Sequence, residues 1–456
     1  MMRHTLLQLP PAQQMAFYTL LLTTSSAKLS ATSPSPPPKA PEHLLIVTDA
    51  MPGMLNGVVT RMSEIQHRLQ AQGHKVSVLT PEGFPSLPLH FIYPGLRLTL
   101  PMGFSKRFQQ LKPSRMVIMN EMTLGLGARF YALRHRLPYA TAYTTNYCDV
   151  TTNYDWLQGV PKPWTDWMIN TYLRWFHRRS DALLVNSNSS RNELLAQGYP
   201  ARPMVTLGGA VDTERFHPSL RDESWLADCP RPFWLYVGRV SREKRLDEFL
   251  DLSLPGTKIV VGDGPDLERL QRQFGNHSVR FLGRVVNAQL AKVYASCDVF
   301  VFPSEFETLG RVLLEALASG LPVAAKPVRG PIDVIHNNTA CGTVGVLSRN
   351  LQHAALEAWA LVDPAATSSN PTEATLRRKT IARYAATYFG WQDYLPRFLY
   401  SVPRLKARPR CRVMKHFHWA WVTLQDVPLI SRRWSRFLLR RWQTRWRIQA
   451  RQFLPT

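Results

Sequence analysis

Residues 299–323 read VFVFPSEFETLGRVLLEALASGLPV and contain a strand, a helix and the start of a second strand. The apolar run Val299–Phe302 predicts a strand that is buried on both faces. The helical pattern that follows ends at Gly320 and Pro322, and a further apolar strand begins at Val323. Strand, helix and strand in this order are typical of a parallel sheet that is covered by helices.

Two glutamates lie in this stretch, Glu307 and Glu315, and their apolar neighbours predict that the segment is largely buried. Two acids eight residues apart on one helix are separated by about 12 Å, at roughly 1.5 Å per residue. That is too far for a shared proton, and glycosidase carboxylate pairs lie only roughly 5–9.5 Å apart. A buried carboxylate without a partner is costly, so we expect the two acids to meet two ends of one long ligand. The alternative is one solvated acid and one acid on a helix surface.

Size and composition predict a multidomain globular chain. The 456 residues correspond to about three domains of ~150 residues, and 45% of the residues are hydrophobic. No apolar run approaches the roughly 18–20 residues that a membrane-spanning helix needs. The five cysteines are scattered without metal-ligand spacing, so we expect reduced thiols and a cytoplasmic protein.

The net charge of +24 is concentrated at the C-terminus. From Arg404 to Thr456 there are fourteen lysines and arginines against one acid, Asp426, which is a net charge of +13. A basic tail of this kind favours an anionic partner, either membrane phospholipid or nucleic acid.

The N-terminal half is predicted to contain a leader and one doubly wound domain. Residues 1–42 read as a disordered leader and linker, because they are rich in serine and proline and almost free of acids. Organellar targeting by residues 1–40 stays open. A Rossmann-like domain is predicted over 43–208, since the chain then runs through strand, loop, helix and strand.

The C-terminal half is predicted to contain a second Rossmann-like domain over 209–380. Four apolar strands there each break into glycine or proline, and in open α/β sheets the ligand crevice lies at those carboxyl ends. The breaks are Gly238-Arg239, Gly262-Asp263-Gly264-Pro265, Gly283-Arg284 and Pro303-Ser304. A closing helix over 381–402 and a basic tail over 403–456 complete the predicted organisation.

Basic residues and free backbone groups near these strand ends suit phosphate. Arg239 and Lys244 follow the first strand of the second domain, although such residues are commonly just solvated. The predicted helix start at 308–310 offers backbone N–H groups to an anion. Gly262 and Gly264 allow a close backbone approach, and a plain turn explains them equally well.

Taken together, the motifs resemble family 4 glycosyltransferases, which are retaining enzymes of the GT-B fold. The similarity covers roughly residues 43–400. It is carried by IVTDAMPGMLNGVV, GRVSREKR, VVGDGP, FLGRV and CDVFVFPSEFETLGRVLLEALASGLPV. Within the family, LTPEGF, YPGLRLTLP and GPIDVI resemble segments of bacterial glycolipid α-glycosyltransferases and α-mannosyltransferases. The resemblance implies an α/β protein with two Rossmann-like domains facing a cleft.

The resemblance also implies roles for the residues at the cleft. Arg239 and Lys244 would hold the diphosphate of a UDP- or GDP-sugar and stabilise the departing nucleotide. Glu307 would face the sugar hydroxyls, and Glu315 would bind both ribose hydroxyls. The other implied donor-binding positions are Asn56, Gly57, Gly262, Gly264, Arg284, Thr308, Leu309 and Gly310. No metal and no cofactor is implied, because the cations and the helix N-terminus replace a divalent ion.

One position departs from the subgroup. Its members usually carry a histidine in a Ser-Phe-His-Thr-like stretch, whereas residues 142–147 read AYTTNY and place Thr144 there. A threonine can hydrogen-bond a sugar hydroxyl but cannot hold a positive charge, so we expect altered activity or specificity. Asp149 falls where an acid usually lies on the acceptor side, and Gly209 stands where an arginine is frequent.

The sequence of the basic tail predicts a location at a membrane surface. Trp434, Leu438, Trp442 and Trp446 recur every fourth residue among arginines, which predicts a basic amphipathic helix within 431–452. Such a helix suits an anionic bilayer at the inner face of the membrane, although packing of the stripe on the enzyme itself is a nearly equal alternative.

The predicted function is therefore transfer of a hexose, with retention, from a nucleotide sugar to a lipid or glycan acceptor. One alternative is a degenerate nucleotide-sugar-binding pseudo-enzyme, suggested by Thr144. Another is a nucleic-acid binder that uses the tail, and it is weaker because no nucleic-acid motif accompanies the charge.

Overall fold

A computed structural model describes most of the chain between residues 40 and 406. The described ranges are 40–51, 57–88, 97–145, 161–200, 204–275, 278–305, 307–336, 339–363 and 371–406. The leader 1–39 and the tail 407–456, with the predicted helix of 431–452, lie outside the described residues.

The first part of the chain forms a parallel sheet of six strands in the order β2-β1-β5-β6-β7-β8. Its strands are β1 His43–Val47, β2 Lys75–Leu79, β5 Arg115–Ile118, β6 Ala140–Tyr143, β7 Ala182–Val185 and β8 Met204–Thr206. An antiparallel pair, β3 Ser86–Pro88 and β4 Arg97–Thr99, lies beside it.

The second part forms another six-stranded parallel sheet, in the order β11-β10-β9-β12-β13-β14. Its strands are β9 Phe233–Val237, β10 Thr257–Val261, β11 Val279–Gly283, β12 Val299–Phe302, β13 Val323–Ala325 and β14 Gly345–Leu347. Counted in chain order within the sheet this is 3-2-1-4-5-6, the Rossmann order.

Helices connect successive strands and cover both sheets. In the first part they are α1 Gly57–Ala71, α2 Phe104–Leu111, α3 Thr123–His135, α4 Lys162–His177 and α5 Asn188–Ala196. In the second part they are α6 Leu246–Asp251, α7 Leu267–Phe274, α8 Asn287–Ser296, α9 Arg311–Ala318, α10 Pro331–Val334 and α11 Leu351–Ala360. Two further helices, α12 Pro371–Phe389 and α13 Trp391–Ser401, follow.

Each sheet is buried on both faces because its strands are apolar along their whole length. In β1, Leu44 and Ile46 point to one core cluster while Leu45 and Val47 point to another, and all four are fully buried. Two parallel sheets with helices on both faces confirm the prediction of two doubly wound α/β domains.

The predicted single closing helix over 381–402 is divided in the structure. Gly390 adopts an extended conformation between α12 and α13, so the two helices go to different sheets. Tyr384 of α12 packs in the core of the second sheet, whereas Phe398 of α13 packs in the core of the first. The chain therefore returns to its N-terminal domain at the end, where the Arg404 Nε donates to Glu42 Oε1 at 2.8 Å.

None of the helices in the described part of the chain is long and apolar enough to cross a membrane.

Candidate active site

The centre of the second sheet brings together two loops that are distant in sequence. β9 and β12 are neighbours, but the chain leaves them toward opposite sides of the sheet, which creates a crevice at their carboxyl ends. Lys244 lies in the loop after β9, and Glu307 lies in the loop after β12. The Lys244 Nζ is 3.1 Å from the Glu307 Oε2, so the structure brings two of the predicted site residues into an ion pair.

The loop after β9 is held against the loop after β10 by close backbone contact. A Cβ on Gly262 would lie 1.8 Å from the carbonyl oxygen of Gly238, and one on Gly264 would lie 2.2 Å from that of Val240. Arg239 is exposed in this loop, and its carbonyl accepts a 2.9 Å hydrogen bond from the Tyr236 hydroxyl. The two glycines thus let one loop of the crevice pack on the other.

Glu307 is held as an ionised carboxylate. Its side chain is 23% exposed, and its Oε1 accepts the Thr308 N–H at 3.1 Å. Burial raises the pKa of Glu307, but the Lys244 charge and the N–H groups of Thr308 and Leu309 outweigh it, so the pKa lies below its ordinary value. A carboxylate in this position can accept hydrogen bonds from sugar hydroxyls.

The helix that carries Glu315 starts later than the sequence predicts. α9 begins at Arg311, and Gly310 precedes it in the left-handed region with φ 85°. Glu307 therefore lies in the loop, and the 12 Å estimate from helical rise does not apply to the pair. The N–H groups of Thr308 and Leu309, expected to be free for an anion, are instead bonded to the Glu307 carboxylate.

Glu315 has different partners from Glu307. Its side chain is 13% exposed, and its Oε2 accepts a 3.1 Å hydrogen bond from the buried Tyr294 hydroxyl. The Arg311 Nη2 is 3.6 Å from its Oε1. Burial raises the pKa of Glu315, and Arg311 and the Tyr294 bond offset this only in part. The carboxylate is thereby fixed in orientation at the edge of the crevice.

The first domain supplies the opposite wall of the cleft. The ideal Cβ position of Gly57, the first residue of α1, is 3.8 Å from the Cδ of Arg311. The Thr308 hydroxyl is 3.5 Å from the carbonyl oxygen of Thr144, which follows β6. Within the described residues no hydrogen-bond partner is present for the buried Thr144 Oγ1. Thr144 thus presents an unpaired hydroxyl beside the Glu307 loop.

Of the three remaining predicted residues, the structure describes Arg284 alone. Arg284 is exposed directly after β11, at the edge of the second sheet. Asn56 and Asp149 lie outside the described residues, so their predicted roles stay predictions.

Sequence reasoning missed the buried polar groups of the first domain. Asp49, two residues after β1, is 4% exposed and accepts the N–H groups of Leu124 and Gly125 at the start of α3, at 2.8 and 3.0 Å. Burial raises its pKa to about 6. The position of an acid just after a buried strand was a usable signal.

A second buried pair had no such signal. The His177 Nε2 lies 3.1 Å from the Glu121 Oε1, and both side chains are at most 2% exposed. The Thr141 hydroxyl is 2.9 Å from the other ring nitrogen of His177. The pair joins the end of α4 to β6 and to the segment after β5, contacts that no local pattern reveals.

Within the described residues, no group of three or more His, Cys, Asp or Glu side chains is placed to hold a metal ion.

Two Rossmann-like sheets whose carboxyl edges meet across a cleft, with a Lys–Glu pair at the switch point of the second, define the GT-B class of glycosyltransferases. Family models agree: "Glycosyltransferase Family 4" matches residues 55–215, and "Glycosyl transferases group 1" matches 231–363. The chain belongs to glycosyltransferase family 4.

Relatives and solved structures fit this assignment. A GDP-mannose-dependent alpha-mannosyltransferase of Mycobacterium tuberculosis is 31% identical over 318 residues, which are 64% of this chain and 81% of the relative. An alpha-monoglucosyldiacylglycerol synthase of Streptococcus pneumoniae is 27% identical, over 61% of this chain and 70% of its own. The solved structure of sucrose-phosphate synthase from Thermosynechococcus elongatus superposes with a TM-score of 0.60 at 18% identity, over 79% of this chain and 98% of that one. The protein is thus a glycosyltransferase of the GT-B fold.

Proposed function

We propose that this glycosyltransferase moves a hexose from a UDP- or GDP-sugar to a hydroxyl of a lipid or glycan, with retention and without a divalent metal. The observation that carries the proposal is the Lys244–Glu307 pair at the switch point, with Glu315 on the helix that follows the Glu307 loop. A nucleotide sugar has a cation-binding diphosphate between two hydroxyl-bearing ends, and this arrangement of charges suits it.

In this reaction the protein stabilises the charge that develops on the leaving group. Lys244 and Arg239 neutralise the diphosphate as the bond to the anomeric carbon breaks, which lowers the barrier by electrostatic stabilisation. The ionised Glu307 accepts hydrogen bonds from the sugar hydroxyls, and Glu315 accepts them from the ribose. The acceptor hydroxyl attacks the same face and gives its proton to the leaving phosphate, so the configuration is retained.

The donor and the metal requirement are tested together by incubating the full-length protein with UDP-glucose or GDP-mannose and diacylglycerol vesicles in EDTA. We expect hexose transfer from one donor, and we expect Lys244→Met to lower kcat about 100-fold. Lys292→Met is the matched control, because Lys292 is half-exposed and pairs with Asp222 away from the cleft. Absence of transfer to lipid and glycan acceptors alike from every nucleotide sugar would contradict the proposal, and transfer that requires Mg²⁺ would contradict its metal-independent part.

A lipid acceptor is supported by an apolar surface on the first domain, which we call the N-domain apolar surface. It consists of seven large apolar side chains that are each at least 47% exposed: Leu87, Leu100, Met102, Phe130, Trp164, Trp167 and Met168. Leu98, Leu100, Leu126 and Phe130 line a groove of about 270 Å³ in it. The Phe130 ring lies 6.2 Å from that of Trp175, which shares one face of α4 with Met168 and Trp164. Exposed apolar patches of this kind mark membrane or protein contacts.

The charge around this surface favours an anionic membrane. Residues 97–145 and 161–179 contain twelve lysines and arginines, of which Arg115 and Arg129 are buried, but only two acids, of which Glu121 is buried. Aromatic side chains among cations suit the headgroup region of an anionic bilayer. We therefore propose a peripheral position at the inner face of the membrane, with the basic tail 431–452 as a second contact.

A further inference from the structure

One face of α1 follows the second half of the molecule along its length. Gly57, Glu64 and Arg68 recur at helical spacing, and each meets the second half or the segment that joins the two sheets. Gly57 lies against Arg311, the Glu64 Oε1 is 3.1 Å from the Arg311 Nη2, and the Arg68 Nη2 is 2.7 Å from Asp212.

Arg311 stands between two carboxylates that belong to different domains. Its Nη2 is 3.1 Å from Glu64 on α1 and 3.6 Å from Glu315, one turn along its own helix. All three side chains are at most 24% exposed, so the interaction is only partly screened by water. Within the described residues the buried Arg311 Nη1 has no hydrogen-bond partner, so Nη2 is the atom that reaches both acids.

We propose that Arg311, anchored by Glu64, is a positioning residue that fixes the Glu315 carboxylate for ribose binding and thereby makes nucleotide affinity depend on the first domain. This inference rests on the proposed function, in which Glu315 binds the ribose. Glu64 touches neither nucleotide nor sugar in that arrangement and acts through Arg311.

The physical reason is that Glu315 needs a second orienting contact. Tyr294 holds one carboxylate oxygen, Arg311 lies 3.6 Å from the other, and the Arg215 charge acts on the same carboxylate from a greater distance. If Glu64 is neutral, Arg311 loses its stronger partner and is free to move onto Glu315 as a full ion pair. The carboxylate would then be engaged by the guanidinium and would be a poorer acceptor for the two ribose hydroxyls.

The test measures Kd by calorimetry for UDP and GDP and for their 2′,3′-dideoxy analogues, using the full-length protein. We expect Glu64→Gln and Arg311→Gln each to weaken binding of the preferred ribonucleotide about tenfold, and the double variant to be no weaker than the worse single variant. The dideoxy analogue should bind all of these proteins with equal affinity, because it offers no hydroxyl to Glu315.

The matched control is Arg68→Gln. It removes another ion pair of α1 with similar exposure, 28% and 26%, but Arg68 does not touch Glu315 or Arg311. We expect its nucleotide affinities to equal those of the wild type. A loss of affinity for ribo and dideoxy nucleotides alike in Glu64→Gln would mean a general structural role and would overturn the inference.

The same experiment distinguishes a wrong proposed function from a wrong role of Arg311 and Glu64. If the wild type itself binds ribo and dideoxy nucleotides equally, Glu315 does not bind ribose and the donor assignment is wrong. If the wild type discriminates between them and Glu64→Gln discriminates to the same degree, the ribose assignment stands and the role of Arg311 and Glu64 is refuted.

Discussion

Glu307 and Glu315 lie in the loop and the helix that follow β12, yet their surroundings shift their pKa values in opposite directions. Glu307 has a lysine and two backbone N–H groups, which stabilise its charge. Glu315 has a phenol and a more distant guanidinium, so burial keeps its pKa raised. Charge recognition is therefore concentrated at the Glu307 end, and the Glu315 end is suited to neutral hydroxyls.

Thr144 can be tested without knowing the acceptor. Its hydroxyl is buried and has no hydrogen-bond partner among the described residues, so Thr144→Val should leave the free energy of unfolding unchanged or raise it by about 1 kcal/mol. Turnover should fall if the hydroxyl meets the donor sugar. Thr141→Val is the control, since the Thr141 hydroxyl pairs with His177 and its loss should destabilise the domain. Urea denaturation measures the unfolding free energy, and kcat measures the turnover. Destabilisation by Thr144→Val would show that the Thr144 hydroxyl has a stabilising partner.

Asp49 predicts a pH dependence of stability. Its folded pKa of about 6 lies above the ordinary 3.8, so the fold prefers the protonated acid. The resulting stabilisation is fully present below pH 3.8 and is lost as the pH rises through about 6, a change of about 3 kcal/mol. In Asp49→Asn this dependence is absent.

The measurement is the difference in unfolding free energy between the wild type and Asp49→Asn at several pH values. We expect the wild type to lose stability relative to the variant between pH 4 and pH 7. A difference that stays constant over this range would show that the acid titrates at its ordinary pKa.

At the scale of elements, the site depends on how closely two loops approach. Gly262→Ala would place a methyl group 1.8 Å from the Gly238 carbonyl and require a left-handed backbone with φ 141°. We expect the free energy of unfolding to fall by roughly 1–3 kcal/mol. We also expect weaker nucleotide binding, because the loop that carries Arg239 and Lys244 must move. Gly73→Ala is the control: its φ is 83° but its Cβ would meet nothing within 4 Å. Thermal unfolding should show a smaller loss of stability in Gly73→Ala than in Gly262→Ala.

The helices and strands were predictable from the sequence where a single local pattern determines their position. The helix predicted between the first two strands of the first domain is α1, Gly57–Ala71, and four strands of the second sheet follow from apolar runs that end in glycine or proline. The start of α9 was not predictable, because the Glu307 carboxylate bonds the backbone that a longer helix would have used. The break at Gly390 was missed because the apolar pattern continues across it while the core that it faces changes.

The candidate site was predictable only on its donor side. Lys244, Glu307 and Glu315 follow strands of one sheet, so topology brings them together. Arg311 and Glu64 are 247 residues apart and meet only because two domains pack, which no spacing in the sequence records. His177 and Glu121 were missed for the same reason.

At the scale of the whole molecule, the N-domain apolar surface predicts directional membrane binding. Trp167→Glu should lower co-sedimentation of the full-length protein with anionic vesicles, because it places a charge in the contact region. Leu376→Glu is the control, since Leu376 is 58% exposed on α12, which packs on the second sheet. An equal loss of vesicle binding in both variants would show that the N-domain apolar surface is not the specific membrane contact.

The tail is tested separately with a chain that ends at residue 406 and keeps the Arg404–Glu42 contact. We expect weaker binding to anionic vesicles than for the full-length chain, by an amount that decreases as salt is raised. Sedimentation equal to that of the full-length chain would mean that the tail does not contact the bilayer.

The return of α13 to the first sheet has a consequence for engineering. Phe398 and its neighbours complete a core that begins with Leu44, so the N-terminal module is encoded by two separate stretches of the gene. A chimera that exchanged residues 40–208 alone would pair a foreign core with the native α13. A foreign first domain is therefore best transplanted by moving residues 391–406 together with it, as one discontinuous cassette.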